Sequence, residues 1–350
     1  MKKNKLKKTM DVKVAKVKKR GKKLLYLLIA ILILWILTLI FAPSETEFES
    51  TSSVGTIQGL EIPRTYDGDE IINHTGYTLC YDDRNEQAKW VAYELTRDEL
   101  YGTYERTDDF KADPAVQFRS ASLDDYKSSG YDRGHLIPAA DQSWSKEAME
   151  DSFYLSNMSP QDPQFNRGIW SKLESAVRNI ADTEGSIYVV TGPVLTDGPF
   201  KTIGKNKVAV PKYYYKVLLD YTDPQLKAIG FILPNEGSSK PLESFATTVD
   251  AVEKLTKIDF FPKLPDKQED FLEGSVNVND WAFGDFQASA KDRKAYTPVE
   301  EKITGKASPL YYLAKNSLTG VLVLVKNESM VIIKTIVPKD FLEKIEKAFD

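Results

Sequence analysis

Nineteen consecutive residues from Leu24 to Ala42, LLYLLIAILILWILTLIFA, carry no charge, and no other feature narrows the architecture of the chain so much. At about 1.5 Å per residue, a helix of that length spans close to the ~30 Å hydrocarbon layer of a bilayer. The run exceeds the h-region of a cleavable signal peptide, about 7 to 15 residues, and Pro43 directly follows the small residue at its end. It therefore reads as an uncleaved transmembrane helix rather than a signal peptide. Residues 1–23 hold eleven Lys and one Arg against Asp11 alone, whereas Glu45, Glu47 and Glu49 follow the apolar run. By the positive-inside rule, residues 1–23 form a basic cytosolic tail and everything beyond Pro43 lies on the other side of the membrane. Topology and anionic lipid account for these lysines better than a DNA-binding arm does.

Residues 43–59 are rich in Ser, Thr, Glu and Gly, the composition of a solvated linker. A globular domain is expected over residues 60–273. Strand-like runs appear at Gly76–Tyr81, Trp90–Leu95, Ser186–Val190, Tyr213–Leu219 and Lys227–Leu233, each bounded by turn residues. Between and after them, Asn166–Asp182 and Leu242–Leu255 show the three- and four-residue apolar spacing of helices. Strands and helices mix without regular βαβ alternation, so the fold class is α+β. Residues 274–350 read as a C-terminal extension of unknown role that packs onto the main domain or a neighbouring chain, with a hairpin signature at Gly320–Val325 and Met330–Val337 and a short helix at Lys339–Phe349.

The basic tail holds a net +11, and subtracting it from the chain's −4 leaves −15 for the remainder. A basic groove for phosphate would have to be local. Cys80 is the only cysteine, which excludes an intrachain disulfide. With only His74 and His135 present, a metal site of several imidazoles is disfavoured. His135 lies in Gly130-Tyr131-Asp132-Arg133-Gly134-His135-Leu136, where glycines flank an acid–base pair. A lone histidine in such a segment is more often structural than catalytic, and its unperturbed pKa of about 6.5 only makes base chemistry available. His74 has no such neighbours and reads as structural. Tyr213, Tyr214 and Tyr215 sit in a strand-like run and fit sheet packing better than base stacking.

Several segments in order carry a resemblance. Tyr131–Leu136 with Ala139, Phe153–Asn157, Pro160-Gln161, Asn166, Trp170–Glu174, Tyr188–Pro193, Val208–Pro211 and Pro241–Phe245 resemble the DNA/RNA non-specific endonuclease family. These are ββα-metal nucleases with an Asp-Arg-Gly-His motif, a group that includes secreted bacterial nucleases and mitochondrial endonuclease G. The likeness covers roughly residues 60 to 270. It implies a ββα-metal nuclease fold with a mixed or antiparallel sheet and flanking helices, here preceded by one transmembrane helix.

The resemblance further implies a magnesium-dependent endonuclease that hydrolyses DNA and RNA with little sequence specificity, Mn²⁺ or another divalent cation being the substitute. His135 would be the general base and Asn166 the direct metal ligand. Magnesium keeps several waters, so one protein oxygen suffices, and a neutral amide leaves the full charge for the phosphate. Arg133 would bind phosphate, its other reading being an ion pair with Asp132 or Asp141. Arg106 resembles a second phosphate-binding arginine. Arg167 would add positive charge with no defined role. Glu174 would steady the metal's waters. Along a straight helix it stands about 12 Å and some 80° from Asn166, which disfavours co-ligation, and an i,i+4 pair with Arg178 is its structural alternative. Asn157 and Gln161 would support the histidine loop.

Expected partners are DNA and RNA, and the membrane through residues 24–42; a homodimer is one option for the oligomeric state. Two other functions compete: an inactive relative that binds nucleic acid or a partner, and a metal-dependent phosphodiesterase acting on a substrate other than nucleic acid. A mitochondrial inner-membrane placement is the runner-up location, disfavoured because transit peptides use Arg and Ser and this tail uses Lys.

Overall fold

A computed structural model describes residues 57–222 and 224–288, together with the backbone of residues 311–314, 321–326 and 329–334. The central element is a seven-stranded sheet in which every neighbouring pair is antiparallel. Its strands, in spatial order, are β1 (Glu70–His74), β2 (Tyr77–Asp82), β3 (Gln87–Thr96), β6 (Ser186–Pro193), β9 (Tyr213–Asp220), β10 (Lys227–Pro234) and β11 (Ala246–Thr247). Two small two-stranded sheets join β4 (Asp132–His135) to β5 (Met158–Gln161) and β7 (Lys201–Ile203) to β8 (Val208–Val210). Short helices α1 (Leu123–Tyr126) and α2 (Lys146–Asp151) precede and follow β4.

Both faces of the large sheet are covered, and for this reason its middle strands read as nearly continuous apolar runs. On β9, Tyr214 and Leu218 enter one core with Leu173, Val177 and Ile180 of α3 (Ser171–Glu184). Tyr215, Val217 and Leu219 enter a second core on the opposite face with Val249 and Val252 of α4 (Val249–Thr256) and Leu272 of α5 (Asp266–Gly274). The buried residues of α3, Leu173, Ala176, Val177, Ile180 and Ala181, keep the spacing of one helical face.

Two expectations change. The helix expected from Asn166 is broken: a π turn spans Phe165–Trp170, Gly168 has non-helical dihedrals, and the regular helix starts only at Ser171. The straight-helix separation of Asn166 and Glu174 therefore does not apply. The helix expected from Leu242 divides into a 3₁₀ turn at Leu242–Phe245, strand β11 and α4, because Thr248 caps the last of these by accepting a hydrogen bond from Ala251 N at 3.2 Å. The core also reaches beyond residue 273. Trp281 is buried in the first core, Phe283 packs edge-on against Phe231, and Asn179 Nδ2 donates to Ala282 O at 3.0 Å.

The C-terminal hairpin is present as β13 (Val321–Lys326) and β14 (Ser329–Lys334), with β12 (Tyr311–Ala314) as a third antiparallel strand. The helix expected at Lys339–Phe349 and the transmembrane helix expected at Leu24–Ala42 lie outside the described residues. Among the described residues, no helix is long and apolar enough to cross a membrane.

Candidate active site

Strands β4 and β5 place His135 opposite Met158 and Gly134 opposite Ser159. Position 134 requires glycine through close approach: a Cβ there would stand 2.1 Å from Gln161 Cδ. Gln161 is fully buried against it, and neither of its amide atoms has a hydrogen-bond partner. Gly130, at the other end of the motif, has φ +85°, a left-handed conformation that glycine adopts without strain. Asn157 holds the chain just after His135. Its Oδ1 accepts from Ile137 N at 2.9 Å, and its Nδ2 donates to Ile137 O at 3.0 Å and Ser152 O at 2.8 Å.

His135 is 8% exposed and sits between Phe110 and Phe153, with ring centroids 5.7 and 5.0 Å away. Its Nε2 is buried without a hydrogen-bond partner. Burial, reinforced by the charges of Arg106 and Arg133, pushes the imidazole down to about 3. The ring is therefore neutral at physiological pH. The two arginines stack on the two rings that enclose it: Arg133 lies 4.1 Å from the Phe110 centroid and Arg106 5.0 Å from that of Phe153. Arg133 is exposed, and among the described residues its charge is not paired with Asp132 or Asp141. Arg106 pairs with Asp108 at 2.6 Å.

Asp132 takes a bidentate contact from Arg167, with Nε at 2.8 Å and Nη2 at 2.7 Å. Asn166 Nδ2 donates to the same carboxylate at 2.9 Å, which leaves its carbonyl oxygen Oδ1 as the open acceptor. Burial opposes ionisation of Asp132, but the hydrogen bonds from Arg167 and Asn166 outweigh it and hold the carboxyl below its ordinary value. Arg167 is thus spent on Asp132, and the acid orients the asparagine.

Behind Asn166 lies a charge network that sequence reasoning missed in part. Burial pushes Glu174 upward, and Lys216 and Arg178 oppose the shift. Lys216, on β9, is wholly buried with no hydrogen-bond partner at Nζ, which lies 4.8 Å from the Trp170 ring centroid. Burial pushes its ammonium downward, and Glu174 is the largest influence holding it up. Arg178 donates to Asp141 at 3.0 Å, and Tyr93 hydroxyl donates to the other Asp141 oxygen at 3.0 Å. The i,i+4 alternative for Glu174 therefore loses Arg178 to Asp141. The one signal for Lys216 was a lysine amid the apolar run Tyr213–Leu219.

His74 makes a 2.8 Å contact with buried Asp113 and stacks on Tyr154, a structural arrangement apart from His135. Tyr214 and Tyr215 are buried in the sheet cores. An open amide oxygen, as Asn166 offers, and a carboxylate, as Glu174 offers, are donors that suit a hard, oxygen-seeking dication that retains water.

Strand, strand and helix in succession, with a buried neutral histidine on the first and an oriented asparagine entering the last, describe a ββα-metal nuclease. Residues 61–267 match the family model of the DNA/RNA non-specific endonucleases, and the chain belongs to that family: it is a nuclease, a hydrolase acting on nucleic acids. It is 36% identical over 209 residues to mitochondrial endonuclease G of Homo sapiens, a match covering 56% of this chain and 70% of that protein. It is 35% identical over 241 residues to the mitochondrial nuclease EXOG of Danio rerio, covering 64% and 70%. Nuclease C1 of Cunninghamella echinulata var. echinulata is 38% identical over 212 residues, covering 56% and 84%. Among solved structures, the crystal structure of the EndoG/EndoGI complex superposes with a TM-score of 0.56 at 34% identity, covering 63% of this chain and 95% of that one.

Proposed function

We propose that the chain is a divalent-metal-dependent endonuclease acting on DNA and RNA with little sequence preference. In this reading His135 is the general base, Asn166 is the direct ligand of a magnesium ion, and Glu174 orders the waters around it. The observation that carries the reading is the buried, unpartnered Nε2 of an imidazole kept neutral beside two arginines. A bound Mg²⁺ would supply a double positive charge for the phosphate and the leaving oxygen. Asn166 Oδ1, turned from Asp132, is the atom that would hold it.

His135 takes a proton from water at its ring nitrogen, with the ring held between Phe110 and Phe153. Arg133, exposed and with its charge left over, binds a substrate phosphate, with Arg106 as a second contact. Asn157 holds the backbone that carries the histidine through its hydrogen bonds to Ile137 and Ser152, whereas Gln161 makes no side-chain hydrogen bond and packs against Gly134. The same reading keeps the apolar segment Leu24–Ala42 as a single-pass anchor, with the nuclease domain outside the cytosol.

Plasmid nicking with and without Mg²⁺ tests the assignment. His135→Ala should lose about 10²- to 10⁴-fold in rate, with no rescue by added metal. Asn166→Ala should recover part of its activity at high Mg²⁺, because it weakens a ligand and leaves the base intact. More than a tenth of the wild-type rate in His135→Ala, or identical metal titrations for Asn166→Ala and wild type, would reject these roles.

A further inference from the structure

The face of the sheet opposite α3 carries a second concentration of acid. Asp250 and Glu253 lie one turn apart on α4, and Glu273 lies in the last turn of α5. The two helices bring a carboxylate oxygen from each of these three residues within 4.8 Å of the others. Asp250 is exposed and Glu253 half-buried, so the cluster opens to solvent on one side. Glu273 forms its floor. That residue is 4% exposed, and its Oε1 is sealed from solvent with no hydrogen-bond partner.

A sealed carboxylate oxygen without a donor is rare in native proteins and costly. The surroundings add to the cost. Glu253, Glu269, Asp250 and Asp259 surround Glu273 with like charge. Arg64, which faces Glu269, is hydrogen-bonded to Asp259. Glu253 uses Oε1 to accept from Phe260 N at 2.6 Å, which fixes its side chain and leaves the second oxygen.

We propose that Asp250, Glu253 and Glu273 form a calcium site that staples α4 to α5, independent of the catalytic metal. Calcium–oxygen distances of about 2.3–2.6 Å place ligands up to roughly 5 Å apart, whereas magnesium at about 2.0–2.1 Å limits them to roughly 4.2 Å. Oxygens lying within 4.8 Å of one another can all reach one calcium ion. Three ionised carboxylates exceed the dication by one negative charge, and the exposed side at Asp250 admits the waters that complete its shell. Val249, Val252 and Leu272 of the same helices fill the second core, so closing the pair supports the back of the sheet and not the catalytic face.

Thermal unfolding and calorimetric Ca²⁺ titration of the chelator-stripped full chain test this. Calcium at ten times its Kd should raise the unfolding midpoint by about 3–6 °C for a domain of this size. Asn166→Ala should keep that rise, since it touches only the catalytic metal. Glu273→Gln, which keeps the shape of the side chain and removes its charge, should fold in EDTA, lose the calcium rise and retain nuclease activity in Mg²⁺. The exposed Asp250→Asn should weaken Ca²⁺ binding at least tenfold. A full calcium response in Glu273→Gln, wild-type affinity in Asp250→Asn, or loss of the response in Asn166→Ala alone would each overturn the proposal.

Discussion

Enclosing His135 between Phe110 and Phe153 has a cost in acid that equilibrium unfolding can read. In the unfolded chain an imidazole protonates at about 6.5, whereas in the fold burial, aided by Arg106 and Arg133, brings His135 to about 3. Between those values the unfolded state binds a proton that the native state refuses. The stability contribution is therefore complete above about 6.5 and is lost as pH falls toward 3. At pH 5 the unfolded group lies 1.5 units above the pH, roughly, while the native group stays neutral, so the loss is about 2 kcal/mol. Replacing His135 by Ala removes this one titration and leaves both arginines, which do not titrate in the window. Urea unfolding in EDTA at pH 8 and pH 5 should show wild type losing about 2 kcal/mol more than His135→Ala between the two conditions. The variant's cavity shifts both of its values together and cancels. Equal losses in the two proteins would mean that the imidazole protonates freely in the fold, and the neutral-base argument would fail with it.

Lys216→Met should move the acid limb of the pH–rate profile upward by about one unit, because Glu174 loses the largest charge that opposes its protonation; an unmoved limb would detach Lys216 from the site. Gly134→Ala should destabilise the domain by about 1–3 kcal/mol in denaturant titrations, since the new methyl would meet Gln161, and a change below about 0.5 kcal/mol would show that Gln161 gives way freely. Trp281→Ala should cost about 3 kcal/mol, and a chain ending at residue 273 should melt well below one ending at 288; equal midpoints would return the domain boundary to Glu273. Binding of duplex DNA to His135→Ala should weaken with salt at a slope equivalent to roughly two to four phosphates, as a small site around Arg133 and Arg106 implies, and a slope for eight or more would expose a broad basic surface.

The sequence by itself determined the family, the α+β class and the segments that carry the site. Short motifs such as Asp132–His135 and Trp170–Glu174 are local in the chain, and apolar runs long enough to reach from turn to turn announce β3, β6, β9 and β10 whatever packs on them. What lay beyond it was set by contacts between distant residues. Strands as short as β4 and β5 exist because each pairs with the other, and Gly134 is required by a side chain 27 positions away. The break at Gly168 reorients Asn166 relative to Glu174, so helical arithmetic along the chain could not place them. Arg167, Arg178 and Arg133 read alike as basic residues near a motif. Only the fold engages the first with Asp132 and the second with Asp141 and leaves the third its charge. Likewise the histidine's ordinary value near 6.5 is a property of the residue, whereas its descent to about 3 belongs to the two aromatic rings and two guanidiniums that tertiary structure gathers around it.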